Sequence, residues 1–335
     1  MVLSKYFIEN IWYTKHPLSF FLLPLSWIYT LLILLRRLCY QSGLIAINQI
    51  DAPVIIVGNI SVGGTGKTPL VIWLAEYFRN KGFRPGIISR GYGGKYSGKT
   101  QQVRPDSNPS LVGDEPVLIA KRTTCPVAIA VHRRKAAAEL IKHCDCNLIL
   151  CDDGMQHYSL GRDMEIAVID GQRRFGNGHC LPAGPLREPK SRLRTVNFVV
   201  SKYFAGRHEF KMEYTYGDLV SLTEPTRTMP VSSLKGQRVH AIAGIGNAER
   251  YYSYLRSQKL LIITHEFPDH HPFTVEDVKF NDGLPVVMTE KDAVKCMNYA
   301  TEQHWYLPIT AILPESFTYR LDATMKEIIN GQKTT

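Results

Sequence analysis

The stretch Val54-Ile55-Ile56-Val57-Gly58-Asn59, followed at once by Ser61-Val62-Gly63-Gly64-Thr65-Gly66-Lys67-Thr68, decides how the rest of the chain is read. The first run is apolar and β-branched, as expected of a buried strand. Beyond the glycines, Leu70, Leu74 and Phe78 recur at helical spacing, and Gly82 follows, which predicts a helix over 67–80. Strand, glycine loop and helix in that order, with Gly66-Lys67-Thr68 opening the helix, match the phosphate-loop pattern except that Ser61 replaces its leading glycine. The physical logic survives that replacement. Gly63, Gly64 and Gly66 let backbone amides turn toward phosphate oxygens, and the helix adds its positive end. Lys67 would bridge the outer phosphates, and the Thr68 hydroxyl would ligate Mg²⁺. Ser61, Val62, Gly63, Gly64, Thr65, Gly66, Lys67 and Thr68 are thus the candidate binding loop for a nucleoside triphosphate.

Outward from this loop, strand and helix patterns alternate. Apolar runs at 86–88, 127–131, 148–150, 166–169 and 198–200 suit buried strands, and 132–143 reads as a helix. The expected fold class is α/β, a P-loop NTPase-type, mostly parallel sheet with helices on both faces. The run Leu148–Leu150 leads into Cys151-Asp152-Asp153-Gly154-Met155-Gln156-His157. A carboxylate at the end of a strand beside the phosphate loop is where such enzymes hold Mg²⁺. Asp152 is the first choice for that role, directly or through water, and Asp153 is a second carboxylate at the metal or at the nucleophile.

With 335 residues the chain has room for about two domains. A second, smaller C-terminal α/β domain begins near Glu209, with a strand expected over 239–243 and a helix over 247–258. The proline-containing stretch Glu224 to Pro230 is the linker candidate. The expected boundaries are 1–40 for an N-terminal helical segment, 41–208 for the phosphate-loop domain, 209–310 for the second domain and 311–335 for a last helix.

Charge and composition narrow the classes. Forty Lys plus Arg against thirty Asp plus Glu give +10, so an anionic partner is expected: nucleic acid, phosphorylated substrate or acidic membrane surface. At 44% apolar and 21% charged residues, the chain is neither a disordered tail nor a fibrous repeat. Seven cysteines, an odd set without a CxxC pair, point to a reducing compartment, and Cys144, Cys146 and Cys151 read as buried free thiols rather than zinc ligands. Only one stretch is apolar enough to reach a bilayer core, which excludes a polytopic membrane protein. Residues 17–35 carry no charge and lie between Lys15-His16 and Arg36-Arg37. A single span, an interfacial helix and a buried helix all fit. The interfacial helix is favoured, because Phe20, Phe21, Trp27 and Tyr29 suit headgroup depth and the arginines suit lipid phosphate.

Further polar clusters fall where strands end, the usual place for ligands in open α/β sheets. Ser89-Arg90-Gly91-Tyr92-Gly93-Gly94 follows the second strand. Gly113-Asp114-Glu115-Pro116 opens a helix, where Asp114 is also a natural N-cap. His132-Arg133-Arg134-Lys135 either clamps phosphates or forms a solvated face. Pro182-Ala183-Gly184-Pro185-Leu186-Arg187-Glu188-Pro189 reads as a rigid loop with an exposed ion pair, and Phe267-Pro268-Asp269-His270-His271 sets an acid beside two histidines.

Taken in order, SVGGTGKT, SRGYGG, GDEP, HRRK, DDGMQH, PAGPLREP, FPDHHPF and MTEKDAVK resemble the blocks of the tetraacyldisaccharide 4′-kinase (lipid A 4′-kinase) family. The resemblance implies transfer of the γ-phosphate of ATP to the 4′-hydroxyl of an acylated glucosamine disaccharide 1-phosphate, giving lipid IV A at the cytoplasmic face of the bacterial inner membrane. It implies Asp114 acting with His270 on the sugar hydroxyl, and Lys67, Thr68 and Asp152 holding ATP and Mg²⁺. A two-stranded linker between domains and a last helix near 319–330 returning to the first domain are also implied. Arg133, Arg134, Arg187 and Glu188 are second-rank candidates for phosphate or substrate contacts. The rival is a membrane-associated switch ATPase of the partitioning type, but Val62 stands where that class resembles itself in a signature lysine. Nucleic acid is not expected as a partner, since no recognition motif accompanies the charge.

Overall fold

The computed structural model describes residues 2–14, 16–96 and 98–332. Lys15, one of the charges flanking the apolar segment, lies outside the described residues. The chain divides into two compact units: Met1–Arg90, Ala130–Glu213 and Ile312–Thr335 form the first, Gly91–Ile129 and Tyr214–Ala311 the second.

In the first unit six parallel strands pair in the order Phe210–Tyr216, Phe198–Lys202, Met164–Asp170, Val54–Gly58, Leu148–Asp152, Pro85–Ser89. Every residue of Val54–Gly58, Leu148–Asp152 and Pro85–Ser89 is buried, as parallel strands covered on both faces require. The helix Lys67–Asn80 packs Leu70, Val71, Leu74, Ala75 and Phe78 inward. Val57 pairs with Asp152, so the phosphate-loop candidate and the Asp152–Asp153 turn leave neighbouring strands at the same sheet edge. The helix Glu315–Gln332 belongs to this unit: Phe317 sits against Trp73, Phe198 and Phe210, while Asp322 takes hydrogen bonds from Tyr77 and Lys81.

The apolar N-terminal segment forms helices Pro17–Phe21 and Leu23–Gln41. Pro17 and Pro24 both fall in first turns, where a missing N–H costs nothing, so neither breaks a helix. Leu23–Gln41 is long and apolar enough to cross a membrane. Only Ser26 of this helix is buried, whereas Trp27, Ile28, Leu31 and Leu32 are exposed, which overturns the buried-helix reading. The helix is nevertheless tied down along one line, since Ser26 Oγ donates to the Cys180 carbonyl at 2.7 Å and Tyr29 Oη to the Arg187 carbonyl at 3.1 Å.

The second unit holds a six-stranded sheet ordered Thr228–Met229, Leu219–Ser221, His304–Leu307, Val286–Thr289, Arg238–Ala243, Leu261–Glu266. Its last four strands are mutually parallel and the first two antiparallel to their neighbours. Tyr251, Tyr252 and Leu255 of the helix Glu249–Ser257 fill one face. The stretch Glu224–Pro230 is not a linker. It closes a hairpin in which Thr228 pairs with Val220, with Arg227 laid over the Trp305 ring at 5.2 Å. The segment Gly91–Ile129, placed by the sequence reading within 41–208, clusters with the second unit. Its helix Asp114–Arg122 packs on the helix Glu290–Cys296, and Arg122 pairs with Glu290 at 2.8 Å.

Candidate active site

In the first unit the Ser61–Thr68 loop is held from both sides. Val62 N donates to the Pro185 carbonyl at 2.8 Å, and Ser61 bridges Leu186, so the proline-rich loop runs alongside it. Asn59 Nδ2 donates to Thr65 Oγ1 at 3.2 Å, bracing the loop from within. Gly66 stands at the helix N-cap with φ +95°, a left-handed conformation that glycine alone takes without strain, and it brings the first-turn amides of Lys67–Asn80 to the loop. Lys67 Nζ lies 3.4 Å from Asp153, and Arg187 approaches the same carboxylate at 3.1 Å. Arg133, buried, donates to the Asp153 carbonyl at 2.9 Å. Burial pushes the Asp153 carboxyl up, but Lys67 and Arg187 outweigh it and hold the group down to about 2. Asp152 is 1% exposed at its strand end, while Thr68 is half-buried in the first helical turn.

Behind these cations lies a buried network. Glu188, 1% exposed, accepts from Tyr158, Gln156 and Arg192, and Glu165 accepts from Arg192 and Arg162. The exposed Arg187–Glu188 pair expected from sequence is therefore corrected. The two side chains diverge, Arg187 to Asp153 and Glu188 into this network, whose geometry is that of a brace. Arg134 is exposed and donates to Asn48 at 3.0 Å, apart from Asp153.

In the second unit Asp114 opens a helix and is 4% exposed. Its N-cap, Gly113, has φ +93°, and a Cβ there would stand 2.8 Å from the Tyr92 carbonyl, so the Gly91–Gly94 loop approaches closely only because the position is glycine. His270 Nδ1 lies 2.9 Å and 3.0 Å from the two Asp114 oxygens. The His270 backbone sits in the left-handed region at φ +60°, steadied by its amide donating to Asp269 at 3.1 Å. Its neighbour His271 turns instead to Asp277, which caps the helix Val275–Val278. Burial pushes the Asp114 carboxyl up, yet the His270 hydrogen bond and the Lys291 ammonium hold it below its ordinary value. The same hydrogen bond raises His270, against burial and Lys291.

A family model described as tetraacyldisaccharide-1-P 4′-kinase matches residues 18–326. This chain belongs to that family. A tetraacyldisaccharide 4′-kinase of Nitrosococcus oceani is 51% identical over 310 residues, covering 92% of this chain and 91% of the relative. One from Methylobacillus flagellatus is 47% identical over 330 residues, 97% of each. A crystal structure from Aquifex aeolicus, described as the "apo" form of LpxK in complex with ATP, superposes with a TM-score of 0.79 at 29% identity, covering 93% of this chain and 99% of that one. The chain is therefore a kinase of α/β fold, and the switch-ATPase reading is not favoured.

Among the expected residues of this family member, the structure gathers Lys67, Arg133, Asp153 and Arg187 in one unit and Asp114 with His270 in the other. The sequence assigns no role to Asn59, Glu165, Arg192 or Lys291, whereas Asp269 stands out there as the acid beside two histidines. Glu188 and Arg192 carried one usable signal, an i,i+4 spacing of opposite charges.

Proposed function

We propose that this kinase transfers the γ-phosphate of ATP to the 4′-hydroxyl of a tetraacylated glucosamine disaccharide 1-phosphate, giving lipid IV A. The observation that carries the acceptor half is Asp114, a nearly enclosed carboxylate kept ionised and held by His270 at 2.9 Å. A carboxylate in that state accepts the hydroxyl proton as the phosphoryl group departs. The donor half rests on the Ser61–Thr68 loop: its amides cradle the phosphates, Lys67 spans the outer ones, and Arg133 and Arg187 surround the carboxylate beside it. Thr68 and Asp152 would supply the hard oxygen donors that Mg²⁺ prefers, and the ion would contribute neutralisation of phosphate charge there. A loose transition state asks little of the base, so positioning and charge neutralisation carry most of the rate.

The N-terminal helix fits the same reading. Its exposed Phe20, Phe21, Trp27, Leu31 and Leu32 suit acyl chains, while Arg36 and Arg37 suit anionic headgroups, which supports the reading that the enzyme works on a membrane surface, the cytoplasmic face of an inner membrane. The experiment supplies γ-labelled ATP together with lipid disaccharide 1-phosphate, a water-soluble sugar phosphate and no acceptor. Label on the lipid disaccharide is expected. Release of inorganic phosphate alone, unchanged by the lipid, would overturn the reading.

A further inference from the structure

Lys291 belongs to the block MTEKDAVK, whose chemistry the proposed mechanism leaves unused. The strand Val286–Thr289 is wholly buried and delivers Thr289 as the N-cap of the helix Glu290–Cys296. Asp292, fully buried, fixes the turn by accepting from the Gly244 amide at 2.7 Å and Thr289 Oγ1 at 2.6 Å, with Lys295 at 2.8 Å. The backbone at Lys291 is thus held on three sides. Its ammonium reaches Glu115 and Asp269, each at 3.1 Å, lies 3.9 Å from Asp114, and faces His270 Nε2 at 3.5 Å.

Those contacts dictate a protonation pattern. An ammonium only donates, so the imidazole nitrogen turned toward it is the lone-pair nitrogen, and the ring proton sits on Nδ1, facing Asp114. A proton on Nε2 would set two donors face to face, and the neutral Nε2–H tautomer would also turn the Nδ1 lone pair against the Asp114 carboxylate. The charged and titratable groups around the pair are Asp114 and Glu115 from one helix, Asp269 from the loop, and Lys291 with the more distant Lys295 from another helix. The Tyr92 ring also faces the pair, edge-on to His270 at 5.3 Å. Three carboxylates therefore share one close ammonium. Without it they would repel one another, and Asp114 would hold its proton to higher pH.

We propose that Lys291 is a positioning residue for phosphoryl transfer, which keeps Asp114 as the carboxylate and His270 as the Nδ1–H tautomer. This rests on Asp114 being the proton acceptor. Activity that needs the Asp114 carboxylate disappears as pH falls through its pKa. Removing Lys291 raises that pKa, so the acid limb of the rate profile moves up.

The test measures kcat/KM for the lipid acceptor from about pH 5 to about pH 9 in Lys291→Met, Lys291→Arg and wild type, with Asp114→Ala run alongside. Lys291→Met should shift the acid limb upward by about one to two pH units, a loss of roughly tenfold per unit below it, with KM for ATP unchanged. Lys291→Arg should keep the wild-type limb. A uniform loss at every pH, or an unmoved limb in Lys291→Met, would overturn the proposal. Should Asp114→Ala keep wild-type turnover, the base assignment itself fails, a result separable from an unmoved limb in Lys291→Met beside an inactive Asp114→Ala. Should Lys291→Met not fold, histidine-selective ¹⁵N spectra of the wild-type enzyme decide: Nδ1–H on His270 supports the proposal, Nε2–H overturns it.

Discussion

The two clusters are charge mirror images. In the first unit three cations, Lys67, Arg133 and Arg187, surround Asp153, while in the second three carboxylates, Asp114, Glu115 and Asp269, surround Lys291 with His270 beside them. A surplus of cations at a glycine loop prepares a seat for polyanionic phosphate. A surplus of carboxylates, one of them nearly enclosed, prepares a proton acceptor that the His270 hydrogen bond and the nearby Lys291 ammonium together keep charged. Each cluster is therefore poised by the ion that is in the minority, Asp153 in one and Lys291 in the other.

The largest effects should separate the two. Asp114→Ala is expected to lower turnover by about 10³-fold or more while leaving the dissociation constant for ATP within about twofold. Lys67→Met should lower turnover by roughly 10²- to 10³-fold and also weaken ATP binding. Isothermal titration with ATP and single-turnover transfer, run on both variants, give the four numbers needed. If Asp114→Ala weakened ATP binding as much as Lys67→Met, the division into a phosphate cluster and a base cluster would not stand.

A second contrast concerns stability. Glu188 and Asp292 are the buried carboxylates behind the two clusters, each holding groups that cannot reach water. Truncating either to Ala strands buried donors and should cost about 3 to 5 kcal/mol in denaturant unfolding. Arg187, with its side chain 27% exposed and its partner 35% exposed, should cost less than about 1 kcal/mol on replacement by Met, yet lower turnover. A Glu188→Ala enzyme of normal stability and reduced substrate affinity would return Glu188 to the binding surface and break the parallel with Asp292.

The clusters also differ in how far the sequence revealed them. The phosphate loop is contiguous: a buried strand, three glycines and Lys67 sit within fifteen residues of Val54, and local propensity fixes their geometry. Asp152 and Asp153 were readable because a run of apolar residues ends there, at the sheet edge that strand order then brings beside the loop. The base cluster is assembled over long separations, 156 residues from Asp114 to His270 and 177 from Asp114 to Lys291, and nothing local at Lys291 says which carboxylates it will meet. The family likeness supplied Asp114 and His270, and Lys291 was quoted within a block but given no task. The choice of His270 over His271 became physical only through Asp277, which occupies His271. Arg187 and Glu188 show the same limit: adjacency in sequence suggests a pair, whereas the backbone sends the successive side chains to different partners, Asp153 and Arg192.

The smallest expected effect tests whether the phosphate cluster is also tuned by the N-terminal helix. Tyr29 donates to the Arg187 carbonyl from one side of the helix Leu23–Gln41, and Leu32, 60% exposed, lies on its open side. Removing one half-buried hydroxyl costs about 0.5 to 1.5 kcal/mol of hydrogen bonding at Arg187, so Tyr29→Phe should lower turnover a few-fold, with recovery on anionic vesicles unchanged. Leu32→Ser removes apolar contact with lipid and should lower vesicle recovery with little effect on transfer in detergent micelles. The helix belongs to the first unit, so lysine and carboxylate variants of the second unit, although they change transfer, should leave vesicle recovery alone. If Tyr29→Phe and Leu32→Ser instead changed vesicle recovery equally and left micellar turnover untouched, the helix would be an anchor alone, and the cationic cluster would owe its geometry to the Glu188 network without help from Tyr29.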